Sequence, residues 1–145
     1  METKIISFHS DNESLFNTAL EIRTVVFVEE QKVDRKIEYD GCDSEAVHYL
    51  LFYNETPVGT ARRRITEGGI KLERLAVLKT HRGLGLGGGL MQFMMDEILP
   101  TEKKIYLNAQ EDVVDIYKKY GFEREGKMFV EANIKHYKMV YKQQN

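Results

Sequence analysis

Val77-Leu-Lys-Thr-His-Arg82-Gly83-Leu84-Gly85-Leu86-Gly87-Gly88-Gly89-Leu90 packs five glycines into residues 83–89. Each glycine inside a helix costs roughly 1 kcal/mol relative to alanine, so this density needs a reason. A flexible turn accounts for one or two glycines, not five between a strand and an amphipathic helix. Missing side chains let a ligand approach the main chain. Unpaired N–H groups at a helix N-terminus, aided by the helix dipole, bind phosphate. Arg82 adds a fixed positive charge. The stretch reads as a strand, an anion-binding loop and a helix start.

Working outward, Ile70 to Val77 is the strand that feeds the loop. Leu86, Leu90, Phe93, Met94 and Ile98 give the following helix an apolar stripe, and Pro100 stops it. Upstream, Val47–Tyr53 and Val58–Ile65 read as strands, with Glu67-Gly-Gly69 as a hairpin turn. Lys4–His9 is an opening strand. Ser10-Asp-Asn-Glu caps a helix expected to run to about Glu30, with Leu15, Ala19, Ile22 and Val26 at helical spacing. Residues 31–45 are charged and irregular, too long for a tight connection. Downstream, Lys104–Asn108 is a short strand and Asp112–Tyr120 a short helix capped by Gly121. Two strands follow, about Phe122–Val130 and Ile134–Tyr141. The order β-α-β-β-β-α-β-α-β-β predicts an α/β fold with a mixed sheet, antiparallel in front, with one central βαβ unit.

The bulk numbers agree with one domain over residues 1–145. Hydrophobic residues make up 42% and charged residues 30% of the 145, as in an ordinary globular chain. No apolar stretch approaches the roughly 20 residues of a membrane span. The start, Met1-Glu-Thr-Lys-Ile-Ile-Ser, is unlike a secretory signal. The single cysteine, Cys42, excludes a disulfide within the chain and fits a cytoplasmic home. A net charge of −2 supplies no global field for nucleic acid. Arg62-Arg63-Arg64 divides between the two faces of a strand, which suits ion pairing better than a nucleic-acid patch.

Two phosphate-loop readings lose on context. Gly83-Leu-Gly-Leu-Gly-Gly88 spells the dinucleotide fingerprint, but antiparallel strands precede it, only one βαβ unit follows, and Asn108 stands where an acid belongs. The loop also lacks the Gly-Lys-Ser/Thr ending of a triphosphate loop.

Two separated motifs resemble the GNAT family of N-acetyltransferases. The first is Gln/Arg-x-x-Gly-x-Gly/Ala after a strand, met by Arg82, Gly85 and Gly87. The second is Tyr117-Lys-Lys-Tyr-Gly121-Phe122 after a short strand and helix. The element order agrees over the whole chain. It also resembles a subgroup of small bacterial members through Arg23-x-x-Val26-Phe27-Val28-x-Glu30-Gln31, Glu38-x-Asp40-x-x-Asp43-x-x-x-x-His48, Leu107-Asn-Ala-Gln110 and Phe129-x-Glu131-x-x-Ile134-x-His136.

The resemblance implies acetyl-coenzyme A as co-substrate, with no metal. It implies that the strand ending Leu75-Ala76-Val77 splays from the strand ending at Asn108, admitting the pantetheine arm. A main-chain N–H near Val77 would stabilise the oxyanion. The pyrophosphate would lie on the amides of Arg82, Gly83, Leu84, Gly85, Leu86, Gly87 and Gly88. Tyr117 matches the tyrosine that protonates the departing thiolate. Gln110 stands where many members carry an asparagine for the pantetheine amide, and Asn108 is its alternative. Lys119, with Lys118, is positioned for the 3′-phosphate.

Glu73, on the strand leading to the loop, is the candidate general base, with His48 and His136 as competitors. The segment from Phe27 to His48 forms the expected acceptor side, with Phe27, Glu30, Asp40, His48 and, from the last strand, His136 as substrate-binding residues. Its acids would favour a cationic amine of a small molecule or peptide. Asp40, Asp43 and His48 match no strong metal motif. The chain is expected to work as a monomer or homodimer. A non-catalytic acyl-coenzyme A sensor on the same scaffold, and a dinucleotide oxidoreductase, are the competing functions.

Overall fold

The computed structural model describes residues 2–142. The strands are β1 (Thr3–Phe8), β2 (Val47–Tyr53), β3 (Thr56–Thr66), β4 (Gly69–Val77), β5 (Ile105–Gln110), β6 (Phe122–Arg124), β7 (Phe129–Glu131) and β8 (Ile134–Tyr141). The α-helices are α1 (Glu13–Arg23), α2 (Arg35–Glu38), α3 (Leu86–Ile98) and α4 (Val114–Lys118). One mixed sheet runs β1-β2-β3-β4-β5-β8-β6, with β7 also paired to β8. Among the described residues its only parallel pair is β4 with β5, joined through α3. The predicted α/β mixed sheet is the observed one.

Apolar side chains fill both sides of the sheet. Ala19, Ile22 and Val26 pack with Phe8, Leu50 and Ala76 on one face. Leu90, Met91, Met94 and Ile98 of α3 pack with Leu51, Leu72 and Leu107 on the other. Both stripes follow from helical spacing set against strand alternation.

Three departures from the expected elements matter. First, α1 ends at Arg23 and the chain continues as a π-helix over Thr24–Glu30. The wider turn is closed by the Gln31 amide donating to the Val26 carbonyl at 3.1 Å. Val26 stays in the core, while Phe27 and Gln31 turn to a cavity. Second, the expected strand 122–130 is two strands that share one edge of β8, broken where Gly126 takes φ +86°. Third, β4 carries a bulge. Arg62 pairs with Glu73 and Thr60 with Ala76, so Ala61 alone faces Arg74 and Leu75. Arg74 adopts φ +56° there. A bulge bends its strand and sharpens its twist. β4 pairs with β5 only at Ile70–Ile105, Lys71–Tyr106 and Leu72–Leu107, just short of that bend.

Candidate active site

Beyond Leu72 and Leu107 the two central strands part, and a cavity of about 620 Å³ opens between them. Leu75 and Val77 of β4, and Asn108 and Gln110 of β5, line it. The glycine loop forms its mouth. α3 begins at Leu86 with Gly85 as N-cap at φ +76°, and no side chain caps it. The first intrahelical bond is Gly89 N–H to the Gly85 carbonyl, 3.1 Å, so the amides before it have no helical acceptor.

The loop's glycines differ in what demands them. A side chain at Gly88 would collide with the Tyr120 hydroxyl. A Cβ at Gly87 would meet only Val77 Cγ2, at 3.8 Å. The protein itself leaves room at Gly87, which lines the cavity. Arg82 stands at the mouth, its Nε donating to the Val77 carbonyl at 2.9 Å. Its two terminal nitrogens donate to the Glu30 carboxylate at 2.6 and 2.7 Å. These bonds hold Glu30 below the usual carboxylate range.

Tyr117 lines the cavity, its ring edge-on to Phe122. Its hydroxyl has no protein hydrogen-bond partner among the described residues, and burial pushes its pKa up to about 12. Lys119 also lines the cavity, whereas Lys118 lies 3.7 Å from Asp115.

The far wall is built by register. Gln110 Nε2 donates to Gln31 Oε1 at 2.8 Å, so Gln110 faces the segment that follows α1. Residues directly opposite on antiparallel strands project to the same face. His136 is opposite Gln110 and therefore shares that face, as does Asn108 two residues back. The His136 Nδ1–H donates to the Ile134 carbonyl at 2.7 Å, and the ring stacks on Phe129. Phe27 joins the same wall.

Glu73 also reaches the cavity wall, yet its carboxylate is engaged. It accepts from Arg64 at 2.6 Å and Arg62 at 3.0 Å, and pairs with Lys71 at 3.1 Å. Burial works to raise its pKa, and these cations override burial and hold it low. Arg62, fully buried, also holds Asp40 at 2.8 Å and Asp43 at 3.0 Å. Arg23, equally buried, grips Glu38 and, at 2.7 Å, Asp43. Arg74 pairs with Glu38 and Asp40 at 2.8 and 3.3 Å.

Several expected ligand contacts therefore fall elsewhere. The Asp40 carboxylate is spent on Arg62 and Arg74 and does not line the cavity. His48 is fully buried between Phe8 and Phe16, its Nε2–H donating to the Asp43 carbonyl at 2.9 Å, away from the cavity. Glu30 reaches Arg82 rather than the cavity lining. Leu84 points to solvent, 53% exposed. Ala76 turns its methyl into the core and offers only main chain to the open edge. The acidic segment is neutralised by arginines from α1, β3 and β4, so its charge does not reach an acceptor.

The cavity also gathers Val33, Ile37, Lys71 and Arg74, which motif reading passed over, and Gln31 and Glu131, which the motifs contain but to which no role was given. Val33 and Ile37, apolar at helical spacing inside a charged segment, were the available signal. No group of His, Cys, Asp or Glu among the described residues is arranged to hold a metal. No helix among them is long and apolar enough to cross a membrane.

The family model described as the acetyltransferase (GNAT) domain matches residues 17–143. The uncharacterized N-acetyltransferase YjcF of Bacillus subtilis (strain 168) is 37% identical over 131 residues, covering 89% of this chain and 94% of the relative. The crystal structure of an acyl-CoA N-acyltransferase from Pseudomonas aeruginosa superposes with TM-score 0.87 at 26% identity, covering 97% of this chain and all of the other. Escherichia coli ElaA gives TM-score 0.87 at 26% identity, covering 96% and 99%. With the parted central strands and the glycine-rich, uncapped helix start, these matches identify the chain as a member of the GNAT acetyltransferase family.

Proposed function

We propose that the protein moves an acetyl group from acetyl-coenzyme A to a primary amine of a small molecule or peptide, by direct attack while both substrates are bound. The parting of β4 from β5 beside a loop whose Gly87 has empty space around it carries this reading. The residues suit the donor. The amides from Gly83 to Gly88 would hold its diphosphate; the Arg82 amide donates to the Lys79 carbonyl, and its guanidinium would reach a phosphate only by giving up Glu30. The free edge of β4 from Leu75 to Val77, facing Asn108 and Gln110, would bind the pantetheine arm as an added strand does. Lys119 is available for the 3′-phosphate. The bound donor supplies an activated thioester carbonyl.

A main-chain N–H on that same edge near Val77 polarises the carbonyl. Tyr117 holds its proton at neutral pH and donates it to the departing sulfur. A free thiol, near pKa 8.5, is more acidic than this phenol. The same apolar surroundings penalise a thiolate as well, which narrows the gap. Glu73, kept ionised by three cations, stabilises positive charge beside the cavity rather than collecting a proton. The site is assembled from one chain, so a monomer or homodimer serves equally, and a cytoplasmic setting fits the coenzyme donor.

Tyr117→Phe tests the assignment. It should lower the single-turnover rate about 100-fold while coenzyme A affinity stays within twofold. An unchanged rate, with chemistry limiting, overturns it.

A further inference from the structure

We infer that His136 takes the proton from the attacking amine, and that this amine carries an apolar body resting on Phe27, Val33 and Ile37. The inference rests on the amine-acetylation reading above and names its missing base and its acceptor class.

The tautomer of His136 follows from its partner. A carbonyl only accepts, so the bond to Ile134 requires the proton on Nδ1. The neutral ring then carries its lone pair on Nε2. Nε2 has no hydrogen-bond partner among the described residues. Stacking on Phe129, with planes 21° apart, fixes the ring. The side chain is 9% exposed and lines the cavity. Through Gln110 it faces the same side as Gln31, on the open end of β5.

The other bases are occupied. Glu73 is tied to Arg62, Arg64 and Lys71, and His48 lies in the core. The charges around this wall are likewise paired, Glu38 with Arg23 and Arg74. Glu131, at the end of β7, is the carboxylate of the lining with no ion pair among the described residues. A polycation finds one free carboxylate here. An apolar monoamine finds Phe27, Val33 and Ile37, the last 43% exposed on the cavity wall.

Near neutral pH the amine arrives as an ammonium, without a free lone pair. Nε2 takes its proton and passes it to solvent, which frees the nitrogen to attack. As the N–C bond forms and the C–S bond breaks, sulfur receives a proton from the Tyr117 hydroxyl. The nitrogen's second proton leaves to solvent, solvent returns one to the phenolate, and each turnover releases one proton.

The experiment measures thiol release from acetyl-coenzyme A with phenethylamine and with spermidine, beside calorimetric titration of coenzyme A. Phenethylamine should show at least a tenfold higher kcat/KM. His136→Asn keeps a donor for Ile134 but deletes Nε2. It should lower kcat with phenethylamine about 100-fold near neutral pH, with coenzyme A affinity unchanged. The deficit should shrink toward about pH 10, where a primary amine sheds its own proton. A structural role would leave it constant with pH. Ile37→Lys, at an exposed site, should raise the phenethylamine KM about tenfold and spare kcat. A pH-independent or absent deficit overturns the role of His136. A preference for spermidine overturns the acceptor class. Binding of coenzyme A with no acetylation of either amine overturns this inference together with the amine-transfer reading.

Discussion

The charged segment 31–45 and the glycine loop 83–89 flank one cavity and keep their polar groups in opposite states. In the segment, Glu38, Asp40 and Asp43 are bound by Arg23, Arg62 and Arg74, and almost nothing is left for a ligand. In the loop, the amides before Gly89 have no helical acceptor, and a Cβ at Gly83, Gly85 or Gly89 would meet nothing within 4 Å. The difference teaches how to read a polar run. Charge signals a ligand only where the fold withholds the countercharge. Missing side chains signal a ligand only where the protein does not fill the gap itself.

The largest test of this contrast is Arg62→Met. Arg62 is fully buried and shared by Asp40, Asp43 and Glu73. Removing one partner of a buried ionic cluster costs about 3–5 kcal/mol, because the remaining charges stay desolvated. The urea midpoint should fall accordingly. A midpoint unchanged from the parent chain would mean that the segment is not locked, and that its acids are free for ligands after all.

That lock was only half legible in the sequence. Arg23, Glu38, Asp40, Asp43 and His48 stand out as a spaced set, but spacing along a chain does not reveal that β3 delivers Arg62 beneath them. Long-range partners are fixed by strand register. Register in turn depends on the β4 bulge, where Arg74 takes a left-handed conformation that no glycine or asparagine announces. The glycine loop was legible because its meaning is local: strand, glycines, helix. The place of Tyr117 on the cavity wall was legible through its motif, and the cavity opens where the family resemblance implies that the strands separate. The single strand expected over 122–130 failed on Gly126, whose positive φ breaks the pairing between Arg124 and Phe129.

A pair of glycine variants sharpens the other half. Gly87 and Gly89 both lie within α3, and neither has a steric reason to be glycine. Alanine at either should stabilise the helix by up to about 1 kcal/mol. Gly87 lines the cavity and Gly89 does not. Gly87→Ala should weaken coenzyme A about tenfold, or about 1.4 kcal/mol, with Gly89→Ala unchanged. Calorimetric titration of both variants reads this directly. Equal affinities would move the diphosphate away from the first turn of α3.

The smallest effect lies in His48, which pins the locked segment through the Asp43 carbonyl while its Nδ1 has no hydrogen-bond partner among the described residues. Burial pushes its pKa below the ordinary 6.5, against the pull of Asp43, with Arg23 and Arg62 adding to the downward push. The sign follows from linkage. Below about pH 6.5 the unfolded chain takes up a proton that the folded chain refuses, so stability present above that pH declines as pH falls. One such proton is worth under about 1 kcal/mol between pH 7 and 6. Asp40, Asp43 and Glu73, all held low, extend the decline below about pH 4 by the same sign. His48→Gln, which keeps a donor for the Asp43 carbonyl, should flatten the urea midpoint between pH 7 and 5 and leave the steeper acid limb in place. If the slope between pH 7 and 5 survives intact, the proton is taken up elsewhere, and the buried imidazole does not report on the lock.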